Sequence, residues 1–329
     1  MSVIRIYDII AKKREGGALS KEEIEFAIDG YTNGYIPDFQ MSALLMAICI
    51  RGMTDEETAN LTMSMANSGE IIDLSPISGI KVDKHSTGGV GDKTTLIITP
   101  IVASCGVNVA KLSGRALGHT GGTIDKLESI TGYRTDISQD EFIELVKDIG
   151  VSVIGQSPHI APADKKIYSL RDQTATVESI PLIASSIMSK KIASGADAIV
   201  LDVKTGSGAF MKETDDATML AEKMVAIGKN IGRETIALVT DMNVPLGNAI
   251  GTSLEVIEAA EILKGHGDER LMDLCTTISA NMLHLANMGS IDECHMMVKD
   301  SIATGPAFEK LCQMARAPGG DDMLIRNTD

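Results

Sequence analysis

The sequence is poor in aromatic residues and contains no tryptophan. Phe, Tyr and Trp together make up 3% of the 329 residues, whereas hydrophobic residues of all kinds make up 44%. The core must therefore be packed by aliphatic side chains and by 18 methionines, whose flexible side chains fill irregular gaps. The length exceeds that of one average domain, and we expect two domains.

Basic charge is scarce as well. The chain has 30 Lys and Arg against 45 Asp and Glu, which gives a formal net charge of −15. Proteins that bind nucleic acids or anionic membranes by charge have the opposite balance, so we expect neither partner. A small anionic ligand is still compatible with this composition, because a local basic cleft can override the overall sign.

Cysteines are few, odd in number and far apart. There are five, and none of them forms a CxxC pair. This argues against a disulfide framework or a zinc site and favours a protein of the reducing cytoplasm. The N-terminal residues lack the apolar core of a secretion signal, and no stretch is long and apolar enough to span a bilayer.

The first 70 residues predict helices. Ser20 and Glu23 form a capping-box pattern before one apolar run, and Thr54 and Glu57 repeat the pattern before another. Pro37 lies where a helix between these two would begin.

After residue 74 the pattern changes to an alternation of short β-rich runs and helical segments. The predicted strands are "IKVD", "VNVAKLS", "VSVIG", "AIVLDVK" and "TIALVTD". Such alternation is typical of βαβ units, but residues 163–194 instead predict two helices with no strand between them. We therefore predict an α/β fold in two domains. One is a discontinuous small all-α domain, residues 1–70 and 163–194. The other is a larger α/β domain with a mostly parallel (mixed) sheet, residues 75–162 and 195–329.

Two glycine-rich loops follow predicted strands and precede predicted helices. They are "KHSTGGVGDKTT", residues 84–95, and "KLSGRALGHTGGT", residues 111–123. Backbone N–H groups and the helix dipole favour anions at such positions, and glycine permits close approach. Neither loop is a Walker A motif or a GxGxxG motif. Because both lie at the carboxyl edge of a parallel sheet, the pair suits one compact anion such as inorganic phosphate. A turn without a ligand is the alternative for either loop alone.

Three further positions are candidates for polar chemistry. His85 lies inside the first loop, where an imidazole can donate a proton near neutral pH, although a purely structural histidine fits equally well. Ser186 and Lys190 are four residues apart, on one face of a helix that is otherwise small and apolar. This favours a lysine that faces a cleft over a solvated one. A third glycine loop, residues 202–211, follows a strand and is more simply interpreted as a βα turn.

These stretches together resemble the pyrimidine nucleoside and thymidine phosphorylases over essentially the whole chain. The matching motifs are "VDKHSTGGVGD", "SGRALGHTGGTIDKLE", "PADKKIYSLRD", "IPLIASSIMSKKIASGADAIVLDVKTGSGAFMK" and "TDMNVPLGNAIG". The resemblance implies reversible phosphorolysis of uridine, thymidine and deoxyuridine to the free base and α-D-(deoxy)ribose 1-phosphate. It also implies a homodimer, no required cofactor and phosphate as a substrate.

The resemblance implies which residues would act. It assigns phosphate binding to Lys84, His85, Ser86, Thr95, Lys111, Leu112, Ser113 and Thr123. It assigns binding of the base to Arg171, Ser186 and Lys190. Of these, Arg171 and Lys190 would stabilise the charge on the leaving base, and His85 would donate a proton or hydrogen bond to the pyrimidine O2.

A monovalent cation, potassium, is a further implication of the resemblance. Its site would be formed by Gly91, Lys93, Leu246, Ala249 and Glu258. Relatives often have a small or hydroxyl residue where this chain has Lys93. The ammonium group of Lys93 argues against a bound cation, although a carbonyl ligand at this position would not depend on the side chain.

Three alternatives to the main interpretation stay open from the sequence. The first is a thymidine phosphorylase restricted to deoxynucleosides, although Lys111 resembles the members of broad specificity. The second is a phosphoribosyltransferase of similar architecture, which would need magnesium and an acidic metal motif. The third is an inactive fragment that only dimerises, because relatives continue into a C-terminal β-rich portion that is apparently missing here.

Overall fold

The computed structural model describes residues 4–116 and 121–327, which are mostly helical. The helices are α1 (Ile6–Arg14), α2 (Lys21–Thr32), α3 (Asp38–Arg51), α4 (Asp55–Ala66), α5 (Thr94–Ser104), α6 (Thr123–Glu128), α7 (Gln139–Ile149), α8 (Pro162–Gln173), α9 (Ile180–Ala193), α10 (Thr214–Asn230), α11 (Thr252–Leu263), α12 (Glu269–Leu285), α13 (Ile291–Ala303), α14 (Pro306–Arg316) and α15 (Met323–Arg326). None of the helices within the described ranges is long and apolar enough to cross a membrane.

All five predicted strands are present. They are β1 (Val82–Ser86), β2 (Val109–Ser113), β3 (Val151–Gly155), β4 (Ala198–Thr205) and β5 (Glu234–Asp241). The first strand is displaced from its predicted position, because Lys84, His85 and Ser86 belong to β1 and not to the loop after it. The predicted α/β class with a separate helical part is confirmed.

The strands form two sheets where the sequence predicted one. Strands β1, β4 and β5 form one sheet, in that order, and β2 pairs with β3 in the other. Both the β1–β4 and the β2–β3 pairs are parallel. A physical reason for the separation lies at Lys84: its N–H donates to the Asp83 carboxylate at 2.7 Å, and its carbonyl accepts from the ammonium of Lys111. Side chains therefore satisfy the backbone groups that another strand would otherwise bond.

The chain divides into two compact units. The helical unit comprises the residues up to Ile72, Ser157–Gly195 and Thr218–Thr235; the remaining segments form the α/β unit. The predicted division places everything after residue 194 in the α/β domain, whereas this division includes Thr218–Thr235 in the helical unit. In that segment the Lys223 ammonium lies 2.6 Å from a carboxylate oxygen of Asp55 at the start of α4.

Capping interactions begin two helices of the helical unit, α2 and α4, as the sequence predicts. Both capping boxes, Ser20 with Glu23 and Thr54 with Glu57, are formed. The Glu57 carboxylate is buried and also accepts hydrogen bonds from the ammonium of Lys13 at 2.7 Å and from the N–H of Leu19 at 2.8 Å. One acid thus connects α4 with α1 and with the segment before α2.

Helix α5 lies at the centre of the α/β unit. From Thr94 to Ala103 all of its residues are buried, and it packs against α11, α12 and α14. Because the helix is enclosed, its first residue holds a defined position just after β1 and the loop that follows. The two polar N-terminal residues, Thr94 and Thr95, are therefore placed by the apolar remainder of the same helix.

Candidate active site

The first part of the candidate site is built around Lys84 in β1. This side chain is only 1% exposed. Its ammonium donates a hydrogen bond of 2.6 Å to the hydroxyl of Thr94 and lies 3.5 Å from a carboxylate oxygen of Asp202. Lys84 therefore reaches from the strand to Thr94, the first residue of α5, which directly precedes the predicted phosphate ligand Thr95.

Lys111 brings a second buried ammonium to the same strand. It extends from β2, lies 3.2 Å from a carboxylate oxygen of Asp83, and donates to the carbonyl of Lys84. Two of the predicted phosphate-binding cations are thus joined through the backbone of β1. The sequence predicts that the loops containing Lys84 and Lys111 lie at one edge of a sheet, but it does not predict the contact between the two residues.

Asp92 lies in the loop between β1 and α5 and accepts hydrogen bonds from hydroxyl groups at the adjoining ends of both elements. The hydroxyls of Ser86 and Thr94 both donate to its carboxylate. Burial on its own would raise the pKa of Asp92, but the charges of Lys84 and Lys204 and these two hydrogen bonds hold the pKa well below its usual range. Asp92 is therefore ionised. In this arrangement the hydroxyl hydrogen of Ser86, a predicted phosphate ligand, is directed at Asp92.

Strand β4 contributes a buried ion pair to the same unit. The ammonium of Lys204 lies 2.8 Å from Asp202, whose other carboxylate oxygen accepts a hydrogen bond of 2.6 Å from Thr240. The hydroxyl of Thr87 accepts from the Lys204 N–H at 2.9 Å. Burial works against the charged form of Lys204, yet Asp202 and Asp92 raise its pKa overall.

Positive and negative charges balance in this cluster. The buried lysines are Lys84, Lys111 and Lys204, and the aspartates are the buried Asp83 and Asp202 and the half-buried Asp92. A buried ammonium is tolerated only where acids compensate the loss of hydration. The aspartates therefore hold the three cations in place within β1, β2 and β4.

The other predicted phosphate ligands lie at the ends of the same elements. Thr95 is the second residue of α5, Leu112 and Ser113 end β2, and Thr123 is the first residue of α6. His85 is half-buried in β1, opposite Leu201 of β4. Residues 117–120 of the second loop lie outside the described residues.

The helical unit holds the predicted base-binding residues. As their spacing predicts, Ser186 and Lys190 share a face of α9, and the ammonium of Lys190 donates to the Ser186 hydroxyl at 2.9 Å. The same ammonium donates to Asp164 of α8. Asp164 is not among the site residues predicted from the sequence. Lys190 keeps 26% of its side chain exposed. The second carboxylate oxygen of Asp164 is buried with no hydrogen-bond partner in the described part of the chain.

Arg171 is neither solvated nor cleft-facing in this structure. Its side chain is 1% exposed, and its guanidinium donates to three backbone carbonyls. These are Thr176 at 3.2 Å, Val177 at 2.6 Å and Leu182 at 3.1 Å. Burial lowers the pKa of the guanidinium, and Asp164 partly offsets this. Arg171 therefore holds the connection between α8 and α9.

The residues that the resemblance implies as cation ligands also come together. Three of them surround the ammonium of Lys93, which donates to the carbonyls of Leu246 at 2.8 Å and Ala249 at 2.7 Å and to the carboxylate of Glu258. The carbonyl of Gly91 accepts from the backbone N–H of Lys93 at 2.8 Å. The acids Asp83, Asp92 and Asp202 were not singled out from the sequence. A signal for two of them was present, since "VDK" and "LDVK" place an acid beside a lysine at the end of a strand.

Two family models cover most of the chain. The "Glycosyl transferase family, helical bundle domain" matches residues 7–69, and the "Glycosyl transferase family, a/b domain" matches residues 78–308. The chain belongs to this glycosyl transferase family. The helical bundle and the α/β unit described above are the two parts that the family combines.

Curated relatives make the family assignment more specific. Proteins named pyrimidine-nucleoside phosphorylase are 61% identical in Staphylococcus epidermidis, 59% in Geobacillus stearothermophilus and 58% in Bacillus subtilis. Each alignment covers 98% of this chain and 75% of the relative. The resemblance drawn from the motifs is thereby confirmed.

A solved structure supports the fold. The anthranilate phosphoribosyltransferase of Thermus thermophilus matches 94% of this chain and 99% of its own length, with a TM-score of 0.78. The sequence identity is 18%, so this similarity concerns the fold alone.

Proposed function

We propose that this member of the family catalyses the reversible phosphorolysis of pyrimidine nucleosides. The products are the free base and α-D-ribose or deoxyribose 1-phosphate. The observation that carries the proposal is the near full-length similarity to proteins named pyrimidine-nucleoside phosphorylase. The location in the cytoplasm stays a prediction.

Phosphate binding is proposed for the α/β unit. Lys84 and Lys111 supply positive charge, Ser86, Thr95, Ser113 and Thr123 supply hydroxyls, and Leu112 and His85 adjoin them. Because Asp92 is ionised and accepts a hydrogen bond from Ser86, phosphate binding requires the Ser86 hydroxyl to turn from the acid to the anion. The buried aspartates keep the ammonium groups fixed, which reduces the reorganisation that binding demands.

Stabilisation of the leaving base is proposed for Lys190, Ser186 and Arg171. An oxygen of phosphate forms a bond to C1′ while the bond from C1′ to the base nitrogen breaks, and the bonding electron pair stays with the base. Donors directed at the base are most effective when this negative charge has developed. Lys190 is the best placed of the three, since part of its side chain reaches solvent.

His85 is proposed to assist the departure of the base. Donation of a proton or hydrogen bond to the pyrimidine O2 withdraws charge from the ring as the glycosidic bond breaks. Direct displacement by phosphate converts a β-nucleoside into an α-sugar phosphate, so no covalent intermediate with the protein is required. Neither a resident metal nor an organic cofactor has a step in this reaction.

One assay tests the proposal. Purified protein is incubated with uridine, thymidine or deoxyuridine, with and without phosphate or arsenate, and release of uracil or thymine is measured. We expect release only when one of the anions is present. Equal release in phosphate-free buffer would contradict phosphorolysis, and release from deoxynucleosides alone would establish the restricted thymidine phosphorylase. No release from any nucleoside would support an inactive fragment.

A homodimer formed through the helical unit is also proposed. Its support is three strongly exposed apolar side chains, Tyr7 of α1 and Phe39 and Ile50 of α3. Large exposed apolar side chains that lie on adjacent helices favour contact with a partner. Sedimentation equilibrium of the wild type and of Phe39→Lys would measure the association directly. A wild-type monomer would overturn this proposal.

A further inference from the structure

The site implied for a monovalent cation contains a charged side chain of the protein itself. Lys93 is fully buried, and its ammonium has three hydrogens. It donates to the carbonyls of Leu246 and Ala249, at 2.8 Å and 2.7 Å, and to the carboxylate of Glu258. Three oxygens thus meet three donors, so the ammonium group uses its full hydrogen-bonding capacity within this site.

The oxygens are held in position by further hydrogen bonds. The N–H groups of Asn248 and Ala249 donate to the two carboxylate oxygens of Glu258, at 2.6 Å and 3.0 Å. Gly247 has a φ of +67°, and a Cβ there would lie 2.4 Å from a carboxylate oxygen of Glu258. The segment therefore wraps tightly around the acid, and the carbonyls point at Lys93 because of the backbone conformation.

A free cation does not fit beside this ammonium. The three oxygens that would hold it already accept hydrogen bonds from Lys93. A second positive charge within contact distance would also be repelled in a buried environment. The residues of the implied site are thus present, but their arrangement does not fit a potassium ion.

We propose that the ammonium of Lys93 is a covalently tethered replacement for the monovalent cation. The wild-type protein binds no potassium at this place, and its stability does not depend on monovalent cations. Removing the ammonium while keeping the oxygens creates a protein whose stability does depend on them. This inference concerns ion binding in the α/β unit and goes beyond the proposed reaction.

The position of Lys93 between β1 and α5 allows its ammonium to connect two segments of the chain. Lys93 directly precedes α5 and ends the loop that follows β1, and the N–H of Leu246 donates to the carbonyl of Val90 in that loop at 3.1 Å. The tether therefore holds the proposed phosphate loop against the segment before α11. In relatives with a small residue at this position, a free ion would have to perform the same task.

A second buried lysine provides a matched comparison. The ammonium of Lys126 donates to the carbonyl of Asp92 at 2.6 Å and pairs with Glu255 of α11 at 2.6 Å. Lys126 is as buried as Lys93 and is also paired with an acid of α11. It lacks the pair of carbonyls from the 246–249 segment.

The test measures thermal unfolding at constant ionic strength in chlorides of potassium, ammonium or tetramethylammonium, the last being too large to enter. We expect the same Tm for the wild type in all three salts. Lys93→Ser should have a lower Tm in tetramethylammonium and should regain about 3–5 °C as potassium or ammonium saturates the site. Lys126→Ser should lose stability without a specific gain from either ion.

Two outcomes would overturn the proposal. One is a wild-type Tm that rises with potassium relative to tetramethylammonium, because a free ion would then bind despite Lys93. The other is a Lys93→Ser protein that responds equally to all three salts, because the oxygens would then not form a cation site. If Lys93→Ser does not fold, Lys93→Thr purified in potassium takes its place, and the wild-type comparison decides independently.

Discussion

At the scale of single residues, two cations assigned to the same role differ in their surroundings. Lys190 is partly exposed, and its ammonium contacts Ser186 and Asp164. Arg171 is buried, and its guanidinium donates only to backbone carbonyls. Removing the Arg171 guanidinium would leave buried carbonyls without a donor, so this group contributes to stability. The ammonium of Lys190 is partly exposed and is therefore available to a substrate. Substitution of Arg171 should therefore mainly lower stability, and substitution of Lys190 should mainly lower turnover.

We predict that Arg171→Ala destabilises the protein. Loss of the guanidinium leaves three buried carbonyls without a donor, which should lower the free energy of unfolding by about 3 kcal/mol or more. Urea unfolding measures this directly. The comparator Lys190→Met should retain most of the stability but lose turnover by about 10²–10³. Full stability of Arg171→Ala would mean that the connection between α8 and α9 does not need its guanidinium.

His85 allows a prediction that distinguishes chemistry from positioning. If it assists the leaving base, His85→Asn should slow the reaction of uridine more than that of 5-fluorouridine or 5-nitrouridine, whose bases depart with less help. The measurement is the ratio of mutant to wild-type kcat across this series. An equal deficit for every base would assign His85 to holding phosphate or substrate.

At the scale of elements, the loops after the strands and the helix ends carry the specific chemistry. Helix α5 brings Thr94 and Thr95 to the end of β1. Helix α11 brings Glu258 to Lys93, just before α5, and Glu255 to Lys126 of α6. In the helical unit a single acid, Glu57, performs a similar task for α1 and α4. Both arrangements use a buried carboxylate to fix a helix end, which makes each of them sensitive to protonation or substitution.

We predict that Glu57 makes the helical unit sensitive to acid. Burial alone would raise its pKa, but hydrogen bonds from Leu19, Lys13 and Thr54 lower the pKa below its ordinary value. An unfolded chain titrates Glu near about pH 4.3. Because the folded pKa is the lower one, the stabilisation is complete above about pH 4.3 and is lost as the pH falls through the folded pKa.

Glu57→Gln tests this assignment. The variant should be less stable than the wild type near neutral pH, and the difference should shrink as the pH falls below about 4.3. Urea unfolding followed by far-UV circular dichroism at several pH values gives the two curves. The exposed neighbour Glu56 provides the control. The free energy of unfolding of Glu56→Gln should change with pH in parallel with that of the wild type. A Glu57→Gln curve that stays parallel at all pH values would contradict the assignment.

At the scale of the whole molecule, each unit has its own polar centre and its own apolar core. The α/β unit holds a charge-balanced set of three lysines and three aspartates, to which phosphate would add negative charge. The overall charge of −15 therefore does not prevent anion binding, because the local donors are fixed and partly desolvated. Binding that occurs only in the folded state must raise its stability.

We predict that inorganic phosphate stabilises the chain through this centre. At about 100 times the dissociation constant the gain is about 2.7 kcal/mol, which thermal unfolding would detect as a higher Tm. Lys111→Met should lose the specific part of the increase, while Lys147→Met, on the surface of α7, should keep it. A non-specific effect of phosphate on water structure would appear equally in all three proteins.

Much of the fold could be predicted from the sequence because its causes are local. Capping boxes at Ser20 and Thr54 involve residues three positions apart, and the period of apolar residues distinguishes strand from helix within a few residues. The pairing of Ser186 with Lys190 is local in the same sense. The family and its candidate site also follow from the sequence, because the motifs are long and their residue types are specific.

The tertiary structure alone decided which charges meet. Lys93 reaches Leu246, Ala249 and Glu258 across 153 to 165 positions of the chain, and no local rule gives the partner of a buried ammonium. The same holds for Lys111 with Asp83 and for Arg171 with its three carbonyls. Hydrophobic periodicity specifies that a segment is buried. The lost hydration of a buried charge, by contrast, is compensated only by polar atoms that folding brings into contact with it.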